Sequence, residues 1–203
     1  MADSMYIIAM TSRKKYDQWY KKLFSNPVLV RELFTGFVKE DFVRDLDFST
    51  LKRLDKSFVN DEYRERESDI LYEVRYRGKR AYIYLLIEFQ SRVERCMALR
   101  ILSYVTQFYL VLMEGKRAPK LLPPVFPLVL YNGEEKWTAP VSFRALVEPS
   151  IPADYIPAFR YYKIAENEYS KRELVKIRNA VSALFYIENS TPEEFQHNVS
   201  ILT

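Results

Sequence analysis

Asp69, Glu88 and Gln90 are the residues of this chain whose types and spacing could do chemistry. They lie in the stretch Glu67 to Gln90, ESDILYEVRYRGKRAYIYLLIEFQ, where two alternating segments flank a turn at Gly78-Lys79. Glycine first suits a two-residue type II′ turn, whose opening position takes positive φ. Arg77 then faces Arg80, and the same register sets Tyr72 opposite Leu85, Leu71 opposite Leu86 and Asp69 opposite Glu88. Directly opposed residues have Cβ atoms roughly 4.5 to 5.5 Å apart on one face, so both carboxylates reach one divalent cation. Gln90 shares that face two residues on, where an amide orients a water or a phosphate oxygen without supplying charge. Ile83, Leu85, Ile87 and Phe89 take the other face. The ordinary alternative is a pair of acids ending two strands at the solvent boundary, relieved by nearby arginines. Against it, like charges set directly opposite destabilise a hairpin unless a cation or a proton separates them.

The elements that must position these residues follow from periodicity. Residues 14 to 24 place Tyr16, Trp19, Tyr20, Leu23 and Phe24 on one side of a helix and Lys14, Lys15, Lys21 and Lys22 mostly on the other. Asn26-Pro27 supplies an N-cap and a first helical residue for a second helix to about residue 38, with Val30, Leu33, Phe34 and Phe37 as its apolar stripe. Thr50 to Val59 reads as a first strand of imperfect alternation, or as a loop, and 68–77 and 80–90 as the hairpin. Residues 93–114 repeat apolar positions at Met97, Ile101, Val105, Phe108 and Leu112, a long amphipathic helix ended by Gly115. Phe126 to Tyr131 is an apolar run bounded by prolines and Asn132-Gly133, as expected of a strand buried on both faces. Residues 171–188 form a further helix, and Thr191-Pro192-Glu193-Glu194 opens another that the chain leaves within a turn or two, which reads as a truncation. Helix, three strands, helix and strand make a mixed α/β sheet.

Length and composition bound the rest. The 203 residues, 48% hydrophobic, suffice for one domain with a substantial core, and no linker or repeat divides them. The loosest stretch runs from Glu134 to Pro157. Sixteen tyrosines and thirteen phenylalanines are mostly core material. A net charge of +4 permits a polyanionic partner without demanding one. Lone Cys96 excludes an internal disulfide and a cysteine zinc site, and lone His197 excludes a histidine-rich metal site. With no long apolar run and too short an apolar segment at the start for a signal peptide, the expectation is a soluble, cytoplasmic protein with no membrane span.

The ordered blocks KKLFSNP, DFSTLKRLDKSFV, RERESDILYEVR, YLLIEFQS, MALRILSYV and FPLVLYNGEEKW resemble the Rpn (YhgA-like) recombination-promoting nuclease and transposase family over about residues 16 to 190. The resemblance implies a restriction-endonuclease-like PD-(D/E)XK fold with an αβββαβ core, a mixed central sheet flanked by helices, and added C-terminal helices. It implies one nuclease-like domain over 1–203, with a core at about 14–135 and an extension at about 136–203. The implied activity is cutting of DNA, double-stranded and held through its phosphates, with Mg²⁺ or Mn²⁺. The family's aspartate at one strand start and E-x-Q or E-x-K at the next strand end match Asp69, Glu88 and Gln90. Where members commonly show His-Asp ahead of a lysine-rich LFS segment this chain has Tyr16-Asp17, which makes Asp17 a fourth site residue.

On this reading Asp69 and Glu88 hold the metal, the Phe89 carbonyl is a further ligand, and Gln90 places the attacking water or the scissile phosphate. Arg92 and Arg95 follow the motif, and Arg100, Tyr104 and Gln107 share a helix face that could meet the phosphate backbone. No base-reading motif is visible. A homodimer would suit two strand cuts, although the sequence leaves oligomeric state open. The competing reading is a nuclease-like domain that binds DNA or a protein partner without cutting.

Overall fold

The computed structural model describes residues 18–54, 69–88, 93–114, 118–191 and 194, with the side chains of Asp69 and Glu88 outside that description. A first helix, α1, is described from 18 to 23. The second, α2 (Pro27–Phe37), begins as its sequence dictates: the Asn26 carboxamide accepts the Val28 amide at 3.0 Å and Pro27 opens the first turn. Val30, Leu33, Phe34 and Phe37 are buried along one face of it.

Five strands follow among the described residues: β1 (Leu46–Arg53), β2 (Asp69–Tyr76), β3 (Lys79–Glu88), β4 (Val125–Tyr131) and β5 (Tyr162–Ala165). They form one sheet in chain order, with β1, β2 and β3 antiparallel and β3, β4 and β5 parallel. The long helix α3 (Met97–Glu114) is the crossover that makes the parallel β3–β4 pair possible. This is the restriction-endonuclease-like αβββαβ order within a mixed sheet flanked by helices. The first strand starts earlier than alternation suggests, and residues 55–59 lie outside the described residues.

Two cores sit on the two faces of the sheet. Ile70, Tyr72, Val74, Ile83, Leu85, Ile87, Leu128, Leu130 and Ile164 share one cluster with residues of α1 and α2. The helices α4 (Lys171–Ile177) and α5 (Ala180–Glu188) complete that layer. Leu71, Tyr82, Tyr84, Leu86, Val129 and Tyr131 pack on the other side against Met97, Ala98, Ile101, Tyr104, Val105 and Phe108 of α3. The alternation of β3 thus divides as its sequence implies, with odd positions on the first face and even on the second.

The hairpin corrects the sequence-based turn. Its two-residue loop is Arg77-Gly78, not Gly78-Lys79, with Tyr76 paired to Lys79 and both loop residues at positive φ, 49° and 74°. That is the type I′ pattern. A left-handed arginine costs about 1–2 kcal/mol, so contacts elsewhere must offset it. The Arg77 amide donates to the Asp45 carbonyl at 3.2 Å and its Nε to the Asp45 carboxylate at 2.7 Å. The guanidinium also lies 5.2 Å from the Tyr76 ring centroid. The two Asp45 contacts come from a 3-10 turn at Asp41–Asp45, which local turn preferences cannot register.

Two further features escape periodicity. Residues 171–188 are two helices, because Arg178 is left-handed (φ 53°, ψ 53°) and Asn179 caps α5 through the Ser182 amide at 2.7 Å. Replacing Arg178 with glycine should remove the left-handed penalty and raise stability by about 1 kcal/mol. A urea midpoint that falls, with unchanged slope, would refute this. The four-residue β5 is the other, and through it residues 136–191 supply the fifth strand and two helices of the first core.

Candidate active site at the carboxyl end of the sheet

The strand ends converge at one edge. Glu88 is in register with Tyr131 of β4, and Tyr131 with Ala165 of β5. Asp69, the first residue of β2, lies opposite Leu86 instead of Glu88. The direct carboxylate pair expected from the glycine-first turn is therefore absent, displaced by the Arg77-Gly78 loop. The slip is two residues, so the pleat parity survives: Asp69 and Glu88 hold diagonal positions in the set that includes Leu71 and Leu86. Such diagonal positions lie about 7–8 Å apart.

Of the other sequence-predicted residues, Asp17, Phe89, Gln90 and Arg92 lie outside the described residues. Arg95 is exposed just before α3. Arg100 is largely covered, its side chain 10% exposed and its guanidinium paired to Glu94 at 2.8 Å. It also donates to the Tyr104 hydroxyl at 3.3 Å and sits 5.9 Å from that ring. Tyr104 itself is buried, 5.7 Å from the Tyr84 ring. The helix face read as a ridge for phosphates thus packs on the sheet at Tyr104, and of the two arginines of the set among the described residues Arg95 is the exposed one. Helical spacing finds a shared face but not whether a sheet covers it. Among the described residues, which do not include the Asp69 and Glu88 side chains, no group of three histidine, cysteine or acidic side chains could hold a metal.

Sequence reasoning missed a second polar cluster beside these strand ends. Glu166, one residue past β5, is 2% exposed. Its Oε2 accepts the Tyr20 hydroxyl at 3.0 Å and the Asn132 amide at 3.2 Å, and that amide also donates to the Tyr20 oxygen at 2.7 Å. The Glu166 Oε1 is buried without a hydrogen-bond partner. Burial pushes the Glu166 carboxyl well above the usual carboxylate range; the Tyr20 hydrogen bond opposes this and the charge of Glu188 adds to it. Burial likewise drives the Tyr20 hydroxyl far above its ordinary value, helped by Glu166 and Glu188. No local signal marks Glu166, because a four-residue strand sets its depth.

The turn after β4 carries the cluster's Asn132. Asn167 holds this turn by donating to the carbonyls of Gly133 at 2.8 Å and Glu135 at 3.0 Å. A Cβ at Gly133 would overlap the Tyr131 hydroxyl and ring, and Tyr131 is fully buried. Gly133→Ala should therefore destabilise the protein by about 1–3 kcal/mol, the range for overpacking. An unchanged thermal midpoint would show that the turn relaxes freely.

A mixed sheet with this helix order and an acidic strand end defines the restriction-endonuclease-like class. The family described as "Putative transposase, YhgA-like" matches residues 14–200. The chain belongs to that family. It is similar to "Recombination-promoting nuclease RpnD" of Escherichia coli O157:H7, 33% identical over 126 residues covering 61% of this chain and 47% of that protein. It is similar to "Recombination-promoting nuclease RpnA" of Escherichia coli K12, 31% identical over 124 residues, 61% of this chain and 42% of that protein. "Putative inactive recombination-promoting nuclease-like protein YjiP" of the same strain is 33% identical over 94 residues, 46% of this chain and 91% of that protein. The match spans less than half the length of the two named nucleases. No solved structure matches the chain. No helix among the described residues is long and apolar enough to cross a membrane.

Proposed function

We propose that this chain is a divalent-metal-dependent DNA endonuclease domain acting in recombination or mobile-element processes in the cytoplasm. The observation that carries it is the diagonal placement of Asp69 and Glu88 at one sheet edge, in a chain whose relatives are named nucleases. Two carboxylates at strand ends, with the Phe89 carbonyl after them in sequence, form the hard oxygen donor set that Mg²⁺ or Mn²⁺ takes. Bound there, the ion would supply an acidified water and charge for the pentavalent phosphate.

The chain's own groups do the rest. Asp69 takes its place from the hairpin ladder and Glu88 from its parallel pairing with Tyr131. Gln90 orients the attacking water or scissile phosphate by its amide, and Asp17 adds a further carboxylate. Arg92 and Arg95 bind the phosphates of double-stranded DNA, which makes affinity salt-dependent and mostly indifferent to sequence. Incubation of supercoiled plasmid with Mg²⁺, Mn²⁺ or EDTA tests the reading. Nicking that requires metal supports it, and its absence at every metal concentration refutes it. A second reading, binding without cutting, is favoured by Gln90 standing where the broader pattern has lysine, and by a relative whose name calls it inactive. Retained DNA binding without nicking would select it.

A further inference from the structure

We propose that Glu166 is a positioning residue for the nuclease site: with Tyr20 and Asn132 it ties α1 to the carboxyl ends of β4 and β5, the sheet edge where Glu88 ends β3. The proposal rests on the nuclease reading.

The three groups come from separate parts of the chain, 146 and 34 residues from Glu166. Tyr20 is fully buried, and through it α1 meets both the turn after β4 and the residue after β5. The Asn189 side chain of the segment after α5 donates to the Glu166 carbonyl at 2.8 Å, which fixes the backbone from the other side. The Tyr72 hydroxyl donates to the Phe24 carbonyl, holding the far end of α1 to β2. The described part of α1 is thus fastened at Phe24 to the strand that begins with Asp69 and at Tyr20 to the strands beside Glu88. A pin at Tyr20 therefore sets how α1 lies against the sheet edge where Glu88 ends β3 beside Tyr131.

The pin works with an uncharged carboxyl. Ionised Glu166 would hold charge on a buried oxygen that no donor meets, whereas the neutral acid keeps its Oε2 contacts without that penalty. The groups facing it are Tyr20 from α1, Asn132 from the β4 turn, and Glu188 and Asn189 at the end of α5. On its own segment, Lys163 pairs with Glu168. No lysine or arginine among the described residues counters the buried charge. Raising pH should ionise Glu166, loosen α1 and misplace the site.

The test compares wild type, Glu166→Gln and Glu166→Leu between pH 6 and pH 9. Amide hydrogen exchange of Phe24, Ser25 and Asn26, corrected for intrinsic rates, reads the attachment of α1, since these amides bond back to Tyr20, Lys22 and Leu23. Mn²⁺ calorimetry and plasmid nicking read the site. Wild type should lose protection and nicking rate with rising pH, and Glu166→Gln should keep both across the range. Glu166→Leu should be low at each pH, with nicking reduced roughly tenfold to a hundredfold, as expected for a misplaced catalytic group. If both variants match wild type in protection and in pH profile, Glu166 only fills the core and the proposal fails. Wild type that shows pH-linked protection but neither binds Mn²⁺ nor nicks overturns the nuclease reading while supporting the attachment of α1.

Discussion

Asp69→Ala is expected to lower metal-dependent nicking of supercoiled plasmid by roughly 10³-fold or more at matched folded concentration. Metal-ion catalysis is worth several kcal/mol of transition-state stabilisation, and each 1.36 kcal/mol is tenfold in rate, so removing a carboxylate donor removes about three decades. Asp69 opens β2 opposite Leu86, at the outer end of the hairpin ladder, and a methyl group there leaves the remaining pairs from Ile70 to Tyr76 intact. The variant should therefore unfold as wild type does without metal, and should show none of the thermal stabilisation that Mn²⁺ is expected to confer on wild type. Glu88→Ala should behave alike, because Glu88 sits diagonal to Asp69 at the same edge. Variants that nick as fast as wild type would remove these carboxylates from the mechanism, and the chain would be read as a DNA- or protein-binding domain.

Glu166→Gln is expected to flatten the alkaline side of the stability profile. Burial raises the folded-state pKa of this carboxyl above its unfolded value, so the native state holds a proton that the unfolded chain gives up. Stability from that proton is fully present below the unfolded pKa and is lost as pH rises through the folded pKa. The window opens near the ordinary glutamate value of about 4.3 and extends upward. Each unit of difference is worth about 1.4 kcal/mol. Glutamine keeps the shape and the neutral acceptor but cannot ionise, so the variant should gain on wild type as the buffer becomes alkaline. Urea unfolding at pH 5, 7 and 9 reads this directly. Parallel profiles would mean that Glu166 titrates normally, against its burial and its orphan oxygen.

Much of the fold is legible because local terms dominate in its elements. Asn26-Pro27 starts α2 since capping and the fixed proline φ act within one turn. The run from Met97 to Glu114 is a helix because its apolar positions recur at helical spacing, and Val125–Tyr131 is a buried strand because its run is apolar throughout. The acidic strand ends are legible too, since parity along a strand does not depend on the turn that joins it to its partner.

What the amino-acid order determined by itself is therefore the second helix, the hairpin strands, the long crossover helix and the buried fourth strand, the face on which Asp69 and Glu88 fall, and the family. Tertiary structure decided their register, because Asp45 and Tyr76 hold Arg77 in a left-handed conformation that a free hairpin would disfavour. It also decided that Tyr104 is covered while Arg95 stays open, that residues 171–188 break at Arg178, and that Glu166 is buried. Each of these outcomes depends on groups brought together from distant parts of the chain. Their desolvation and hydrogen bonds exist only once the sheet has assembled, so no window of local sequence carries them.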